Sequence, residues 1–303
     1  MRFHDIISGD LSGVYELWNL PGSSLLKAGA KLLVAVKRGY DKGNCMRIIE
    51  WIKLPEVKDI KDLDSHSTTA LHSKIIQKKT YMRKLYVEFY NHFKKSISGD
   101  IKAKVVVELG SGGGFIKEII PNAITSDITN LENISIQFSG LKIPFQCHTV
   151  DAFVMFDVLH HISDVRSFFR ELNRCLKIGG KIIMIEPANT LWSSFIYKNF
   201  HHEPFDLSGG WGFKKDGRLS SANGAIPWIV FCRDKQRFEK EFPSMKILKL
   251  KMHTPFRYLI SGGLSIKQLL PSFTYNIIKG LEFMLTPLNS FLGMFMTVEL
   301  EKE

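Results

Sequence analysis

Apolar residues recur along this chain with periods that change from segment to segment, and each change marks an element. From Thr68 to Phe93 they fall at Leu71, Ile75, Ile76, Leu85, Phe89 and Phe93, near helical spacing, which predicts one or two helices. Val105-Val106-Val107 then reads as a buried strand. Glu108 and a run of glycines end it, and a helix is expected over Phe115–Ile120, stopped by Pro121. Ala123–Ser126 predicts a second strand closed by Asp127, and Ile134–Phe138 a third apolar run. About six residues separate Asp127 from that run, too few for an ordinary parallel crossover, so the intervening helix is expected to be very short or missing. Thr149–Asp157 predicts the fourth strand. After Asp164, the positions Val165, Phe168, Phe169, Leu172 and Leu176 make one helical face, with Ile178-Gly179-Gly180 as the expected left-handed cap. Lys181–Glu186, Met245–Met252 and Phe291–Leu300 complete the strands. Strands alternating with helices predict an α/β fold, a doubly wound and mostly parallel seven-stranded sheet.

Three regions stand outside that rhythm. Residues 1–67 form an N-terminal extension in which Leu25–Arg38 has the pattern of a basic amphipathic helix, expected to pack on the main domain, with a membrane surface as the alternative. The main domain is expected over 68–303, with insertions at about 188–240 and 255–290. The first insertion holds "YKNFHHEPFD" (197–206) and a Gly-, Trp- and Phe-rich loop, Leu207–Gly224, where loops beyond the carboxyl ends of parallel strands bind substrate. Near the second, the 16 residues Phe283–Val298 carry no charge, but they are too few to span a bilayer comfortably and include Pro287, Asn289 and Gly293.

The chemistry concentrates at Glu108-Leu109-Gly110-Ser111-Gly112-Gly113-Gly114, an acid two residues ahead of alternating glycines, with Asp127 nineteen residues after Glu108. Bare backbone at such a turn lets a ligand lie against the main chain, and a carboxylate at the end of the second strand can take both hydroxyls of a ribose. A dinucleotide would require Gly-x-Gly-x-x-Gly. Counting from Gly110 the third glycine falls on Phe115, and from Gly112 on Lys117, so both registers fail. Glu108 would also oppose a pyrophosphate, whereas it favours a ligand that carries sulfonium and ammonium charges. The stretch resembles motif I of the class I S-adenosylmethionine-dependent methyltransferases, and Asp127 resembles the acid that closes their second strand. "DVLHHISD…FFRELNRCLKIGGKIIMIEP" is similar to the second half of a methyltransferase type 11 domain, and Ile143-Pro144-Phe145 resembles that family's Leu-Pro-Phe. The resemblance covers about residues 100–190. It implies a Rossmann-like sheet with an antiparallel last strand, and S-adenosyl-L-methionine as cofactor. It places Glu108, Gly110, Ser111, Gly112 and Gly114 at the methionyl part, Asp127 at the ribose, and Ile128 and Phe145 around the adenine. Where the family has an acid aimed at the adenine amino group, this chain has Ser139.

Composition narrows the partners. Of 303 residues 45% are hydrophobic and 23% charged, as a packed core requires. The net charge of +11 favours an anionic partner such as an acidic lipid surface or a phosphorylated substrate. No zinc-finger spacing or aromatic RNA-binding signature points to nucleic acid. Cys45, Cys147, Cys175 and Cys232 are scattered, which fits a reducing cytosol without disulfides, and no metal is expected. The N-terminus lacks the apolar core of a signal peptide, so a cytoplasmic location is expected, with contact at the inner membrane surface left open.

Histidine is the side chain best matched to accepting a proton near neutral pH. His160 and His161 follow the fourth strand, where a transferred methyl would point, and are the candidate catalytic pair; His201, His202 and Glu203 on the inserted loop are their rivals. The expected activity is methylation of a small molecule, sugar or lipid-linked glycan, the last on a looser similarity to methyltransferases that accompany bacterial surface-glycan synthesis. A quinone or lipid is a further candidate. The competing readings are a non-catalytic binding protein on a decayed methyltransferase fold and an NAD-linked oxidoreductase.

Overall fold

The computed structural model describes residues 53–58, 65–132, 134–201, 203–213 and 221–303. The elements named here all belong to the unit Leu54–Glu303. The expected basic helix at Leu25–Arg38, and His202, lie outside the described residues.

Seven strands form one sheet: β1 Val106–Leu109, β2 Ile124–Asp127, β3 Ile136–Gln137, β4 Val150–Phe156, β5 Leu176–Pro187, β6 Met245–His253 and β7 Phe295–Lys302. Their order is β3-β2-β1-β4-β5-β7-β6. β1 to β5 pair in parallel, and β7 runs antiparallel to both β5 and β6. The labelled helices are α1 His66–Lys78, α2 Thr80–Ser96, α3 Val165–Cys175, α4 Leu191–Phe200, α5 Lys235–Glu241, α6 Arg257–Ser261 and α7 Tyr275–Met284.

The period of two along the strands divides the core between the faces of the sheet. Val107, Phe153, Met155, Ile182, Met184, Met296 and Val298 point to one face, where α3, α5 and the turn Ile229–Arg233 cover them. Val106, Ala152, Val154, Ile183, Ile185 and Phe295 point to the other, under α2 and Tyr275. Asp164 caps α3 by accepting from the Ser167 backbone at 3.0 Å. The buried face of α3 holds Val165, Phe168, Phe169, Leu172 and Cys175, and complete burial of a large apolar side chain contributes about 1.5–3 kcal/mol. Because Val107 and Leu109 face α3, Glu108 between them must face α2, beside Tyr86 and Tyr90.

Two expectations need correction. Phe115–Ile120 is not an α-helix: only Ile116–Glu118 turns, as a 3-10 segment, because Phe115 is held by Tyr90, whose hydroxyl accepts the Phe115 N–H at 3.2 Å, and Pro121 follows at once. Gly179-Gly180 does not cap α3, which ends at Cys175; Gly179, with φ of 71°, sits within β5, where the register to β4 jumps between Leu176 and Lys181. As expected from the short spacing, no helix links β2 to β3 among the described residues, and Ser135 accepts from and donates to Thr125. Among the described residues no helix is long and apolar enough to cross a membrane.

Candidate active site

A cavity of about 440 Å³ opens at the carboxyl ends of β1, β2 and β4. Its floor is the glycine turn. Gly110 adopts φ of 62°, and an added Cβ would stand 2.7 Å from Val158, so bare backbone is required there. The Ser111 N–H donates to the Ser126 carbonyl at 2.8 Å, and the Ser126 hydroxyl to the Glu108 carbonyl at 2.7 Å, which locks the turn to β2. Asp127 closes that strand and accepts the N–H of Gly112 at 3.1 Å and of Thr129 at 3.0 Å. One oxygen of Asp127 meets Gly112 and the other Thr129, so the carboxylate is fixed to the turn and to the end of β2.

Glu108 is 3% exposed, yet it lines the cavity, and its Oε2 is buried without a hydrogen-bond partner among the described residues. Burial pushes its carboxyl up to about 7, against the hydrogen-bonding influence of Ser111 and Tyr90 and with help from the Asp127 charge. Asp157 at the end of β4 is also pushed to about 7, first by burial and then by the nearby Glu186 and Glu203 charges, with His160 opposing. Asp157 has φ of 62°, uncommon outside glycine. Two acids facing one cavity with raised pKa values fit a ligand that brings positive charge.

Gly110, Ser111, Gly112, Asp127 and Ile128 all line this cavity. Gly114 and Phe145 do not. Gly114 lies against the Tyr90 hydroxyl, where no Cβ fits. Phe145 instead meets Phe138 edge to face, with ring centroids 6.0 Å apart, and Phe138 to Leu141 form the wall that Phe145 was expected to provide. The Ser139 hydroxyl accepts the Leu141 N–H at 3.2 Å, so it shapes this turn.

At the other end stand the histidines. His160 is 2% exposed, and its Nδ1 meets Glu186 Oε2 at 2.9 Å. The other oxygen of Glu186 accepts the N–H groups of Val158 and Leu159 at 2.9 and 2.7 Å, so the carboxylate fixes both the ring and the turn that carries it. His160 Nε2 faces Glu203 at 3.4 Å and His161 Nε2 faces it at 3.5 Å. His161 Nδ1 lies 3.3 Å from the Ser221 carbonyl. His161, His201 and Glu203 line the cavity; His160 stands behind them. His160, His161, His201 and Glu203 thus form one cluster, while the rival His202 lies outside the described residues. The cluster is tied by Asn223, whose backbone N–H donates to the His160 carbonyl at 3.0 Å and whose amide bonds the backbone of Asp206 in both directions at 2.9 Å.

Sequence reasoning did not single out Glu186, Asp157, Tyr86 or Tyr90 as site residues. An acid at the carboxyl end of β5 or β4 was the available signal for the first two. The tyrosines gave none, because at helical spacing they read as core. The roof of the cavity comes from α1 and the second insertion, through Thr69, His72, Tyr258, Leu259 and the bend 262–266. Lys79 pins that bend by donating to the carbonyls of Gly263, at 2.6 Å, and Ile266.

Residues 107–184 match the protein family described as "Methyltransferase domain". No curated protein matches the chain. Among solved structures, the fold is similar to a possible histamine N-methyltransferase from Thermotoga maritima, at 12% identity over 78% of this chain and 97% of that one, with a TM-score of 0.49. It is similar too to geranyl diphosphate C-methyltransferase from Streptomyces coelicolor A3(2), at 13% identity over 77% and 83%, TM-score 0.45. A Mesorhizobium loti S-adenosylmethionine-dependent methyltransferase gives 13% identity over 69% and 95%, TM-score 0.41. Residues 107–184 are therefore similar to a methyltransferase domain, and the sheet that holds them has the seven-stranded, Rossmann-like order of the class I S-adenosylmethionine-dependent methyltransferases.

Proposed function

We propose that this chain transfers the methyl group of S-adenosylmethionine to a hydroxyl of an acceptor that has an apolar portion, such as a lipid-linked glycan. The observation that carries the reading is one cavity walled by Glu108 and Asp127 at one end and by His161 and Glu203 at the other. The cofactor supplies a methyl carbon already activated by its sulfonium. Glu108, with the backbone of Gly110 and Gly112, holds the cationic methionyl part; Asp127 holds the ribose; Ile128 and Phe138 flank the base. Much of the rate of such a displacement comes from alignment, and the histidine cluster stands where the acceptor hydroxyl must lose its proton.

The acceptor side of the cavity is apolar, with Ile196, Phe200, Leu259 and Leu264 on its wall. Nearby, Phe273, Ile277, Phe283, Met284 and Phe291 are exposed on and around α7. On a chain of net charge +11 this supports peripheral contact with an anionic membrane.

Calorimetric titration with S-adenosylhomocysteine and with NAD tests the cofactor. Micromolar binding of the first alone is expected, lost in Asp127→Ala and in Gly110→Arg; normal binding in both variants would refute the pocket. Labelled S-adenosylmethionine with fractionated extract identifies the acceptor, expected in the lipid fraction, and flotation with anionic vesicles tests membrane contact.

A further inference from the structure

We propose that Asp157, at the end of β4, is the catalytic base that takes the proton from the acceptor hydroxyl. The inference deepens the methyl-transfer reading and rests on it. That reading puts the loss of the proton beside the histidine cluster, and Asp157 is the group there that is free to receive it.

Asp157 stands between the two ends of the cavity and lines it. Val158, the next residue, packs on the glycine turn: a Cβ on Gly110 would stand 2.7 Å from its side chain. His160, three residues after Asp157, begins the histidine cluster. Burial raises the pKa of Tyr86, Tyr197 and Tyr258, and the Asp157 charge adds to the rise in each. Glu108 acts further on Tyr86, whereas Glu203 acts further on Tyr197 and Tyr258. Asp157 thus shares neighbours with the acid at each end.

The backbone at Asp157 suits a short polar side chain. Its φ is 62°, its N–H donates to the Ile185 carbonyl at 2.9 Å, and Glu186 holds the next two N–H groups. Aspartate and asparagine enter this region more readily than other side chains, and such uncommon dihedrals cluster at functional sites.

Among the described residues, the acids lining the cavity are Glu108, Asp127, Asp157 and Glu203. Asp127 is bonded to Gly112 and Thr129, and Glu108 faces α2 at the cofactor end. Glu203 faces His160, His161 and His201 at 3.4, 3.5 and 3.7 Å. Against the effect of burial, these rings hold its carboxyl well below the usual range, which makes it a weak base. Against burial likewise, Glu186 and Glu203 hold the His160 ring well above the usual histidine range, so it keeps its proton. The Asp157 carboxylate accepts no hydrogen bond from a described residue. His160 Nδ1 lies 3.8 Å from it, beyond hydrogen-bond distance. Burial and the Glu186 and Glu203 charges, opposed by His160, bring its pKa to about 7, a value matched to proton transfer near neutral pH.

In the step, the acceptor oxygen bonds to the methyl carbon, the carbon–sulfur electron pair returns to sulfur, and the O–H proton passes to Asp157. The sulfonium and carboxylate charges cancel, leaving a methyl ether, S-adenosylhomocysteine and a neutral carboxyl.

Two measurements on the full chain test the assignment. The first needs no turnover. In ligand-free protein labelled with carboxyl-13C aspartate, one resonance is expected to titrate near pH 7 and to be missing from Asp157→Asn. An Asp157 resonance that titrates in the ordinary carboxylate range would overturn the base. The second uses methyl-labelled S-adenosylmethionine with the lipid fraction of a cell extract. Asp157→Asn, which suits the left-handed backbone, is expected to lose about 100–10,000-fold in transfer rate while S-adenosylhomocysteine binding is kept. The wild-type rate is expected to fall below pH 7, and His161→Asn to keep that acid limb. Transfer by Asp157→Asn within about tenfold of wild type, or an acid limb lost in His161→Asn, would overturn the base. Where Asp157→Asn does not fold, Asp157→Gly, suited to the same backbone, is expected to show the same loss. No transfer by the wild type with any fraction would remove the methyl-transfer reading and the base with it; active Asp157 variants would remove the base alone.

Discussion

A Cβ placed on Gly113 would stand 2.6 Å from the backbone nitrogen of Ser73, so helix α1 rests directly on the glycine turn that floors the cavity. The obstructing atoms are main chain and cannot rotate away. Gly113→Ala is expected to lift α1, lose about 1–3 kcal/mol of stability and weaken S-adenosylhomocysteine binding at least tenfold. Gly280 in α7 has nothing within 4 Å of an added Cβ. Gly280→Ala is expected to stabilise by about 0.5–1 kcal/mol with unchanged affinity. Urea unfolding and calorimetry on both variants check the contrast.

On the proposed function, Glu108 is expected to make cofactor binding pH-dependent. Its carboxyl in the unliganded protein sits at about 7, against 4.5 for the free side chain. A raised acid favours the protonated folded form, so the destabilising cost of ionising it is absent below about pH 4.5 and grows until pH 7. A cationic ligand favours the ionised form, so affinity for S-adenosylmethionine is expected to rise from pH 6 to pH 8, with protons released on binding below pH 7. Asp157, also at about 7, titrates in the same window. Glu108→Gln is expected to weaken binding and reduce the proton release without abolishing it. Calorimetry in buffers of different ionisation enthalpy measures this; unchanged proton release in Glu108→Gln would remove Glu108 from the cation site.

The second insertion is held by a buried ion pair. Arg257 Nε donates to Glu282 at 2.6 Å and its Nη1 to Glu88 at 2.7 Å, while Glu282 also accepts the backbone N–H groups of Phe256 and Arg257 at 2.8 Å each. Removing one member leaves the other charged and buried, at a cost of about 3–5 kcal/mol. Arg257→Met should therefore lower the unfolding midpoint strongly, and Arg257→Met with Glu282→Gln should recover part of the loss. Thermal unfolding of the two single variants and the double variant tests the coupling.

Asn223 holds the inserted loop to the histidine turn. Asn223→Ala removes the acceptor for the Asp206 and Ala225 N–H groups, at 2.9 and 3.1 Å, and the donor to the Asp206 carbonyl. The buried Ala225 N–H, left without its partner, costs about 1–3 kcal/mol. Hydrogen exchange is expected to quicken across 203–213 while the amides of β1 and β2 stay protected. Equal protection in variant and wild type would mean that Asn223 is not the tie.

The strand sequence was legible because period-two apolar runs identify buried strands, and the acid and glycine spacing pointed to the turn that floors the cavity. The histidine cluster was less legible. His160 and His161 stood out as residue types near a strand end, but that Glu203 joins them depends on a fold-back through Asn223 that no local pattern announces. Glu186 looked like the last residue of a strand, and nothing in its neighbours showed that its side chain would grip His160. Phe145 and Phe138 are two aromatics of one short stretch, and only the β3 turn decides which of them reaches the cavity. Gly179-Gly180 misled because a left-handed glycine serves a strand irregularity as readily as a helix end.

On the proposed function, the division of labour around Glu203 would leave this chain free to change what it modifies. Ile196, Leu259 and Leu264 line the cavity, while the bonds that fix the histidine turn belong to Glu186, Asn223 and main-chain atoms. Exchanging those wall side chains would recut the cavity for a different acceptor at little risk to the machinery beside it. If the chain is the methyltransferase proposed, substrate preference would drift among its descendants while the reaction stays the same.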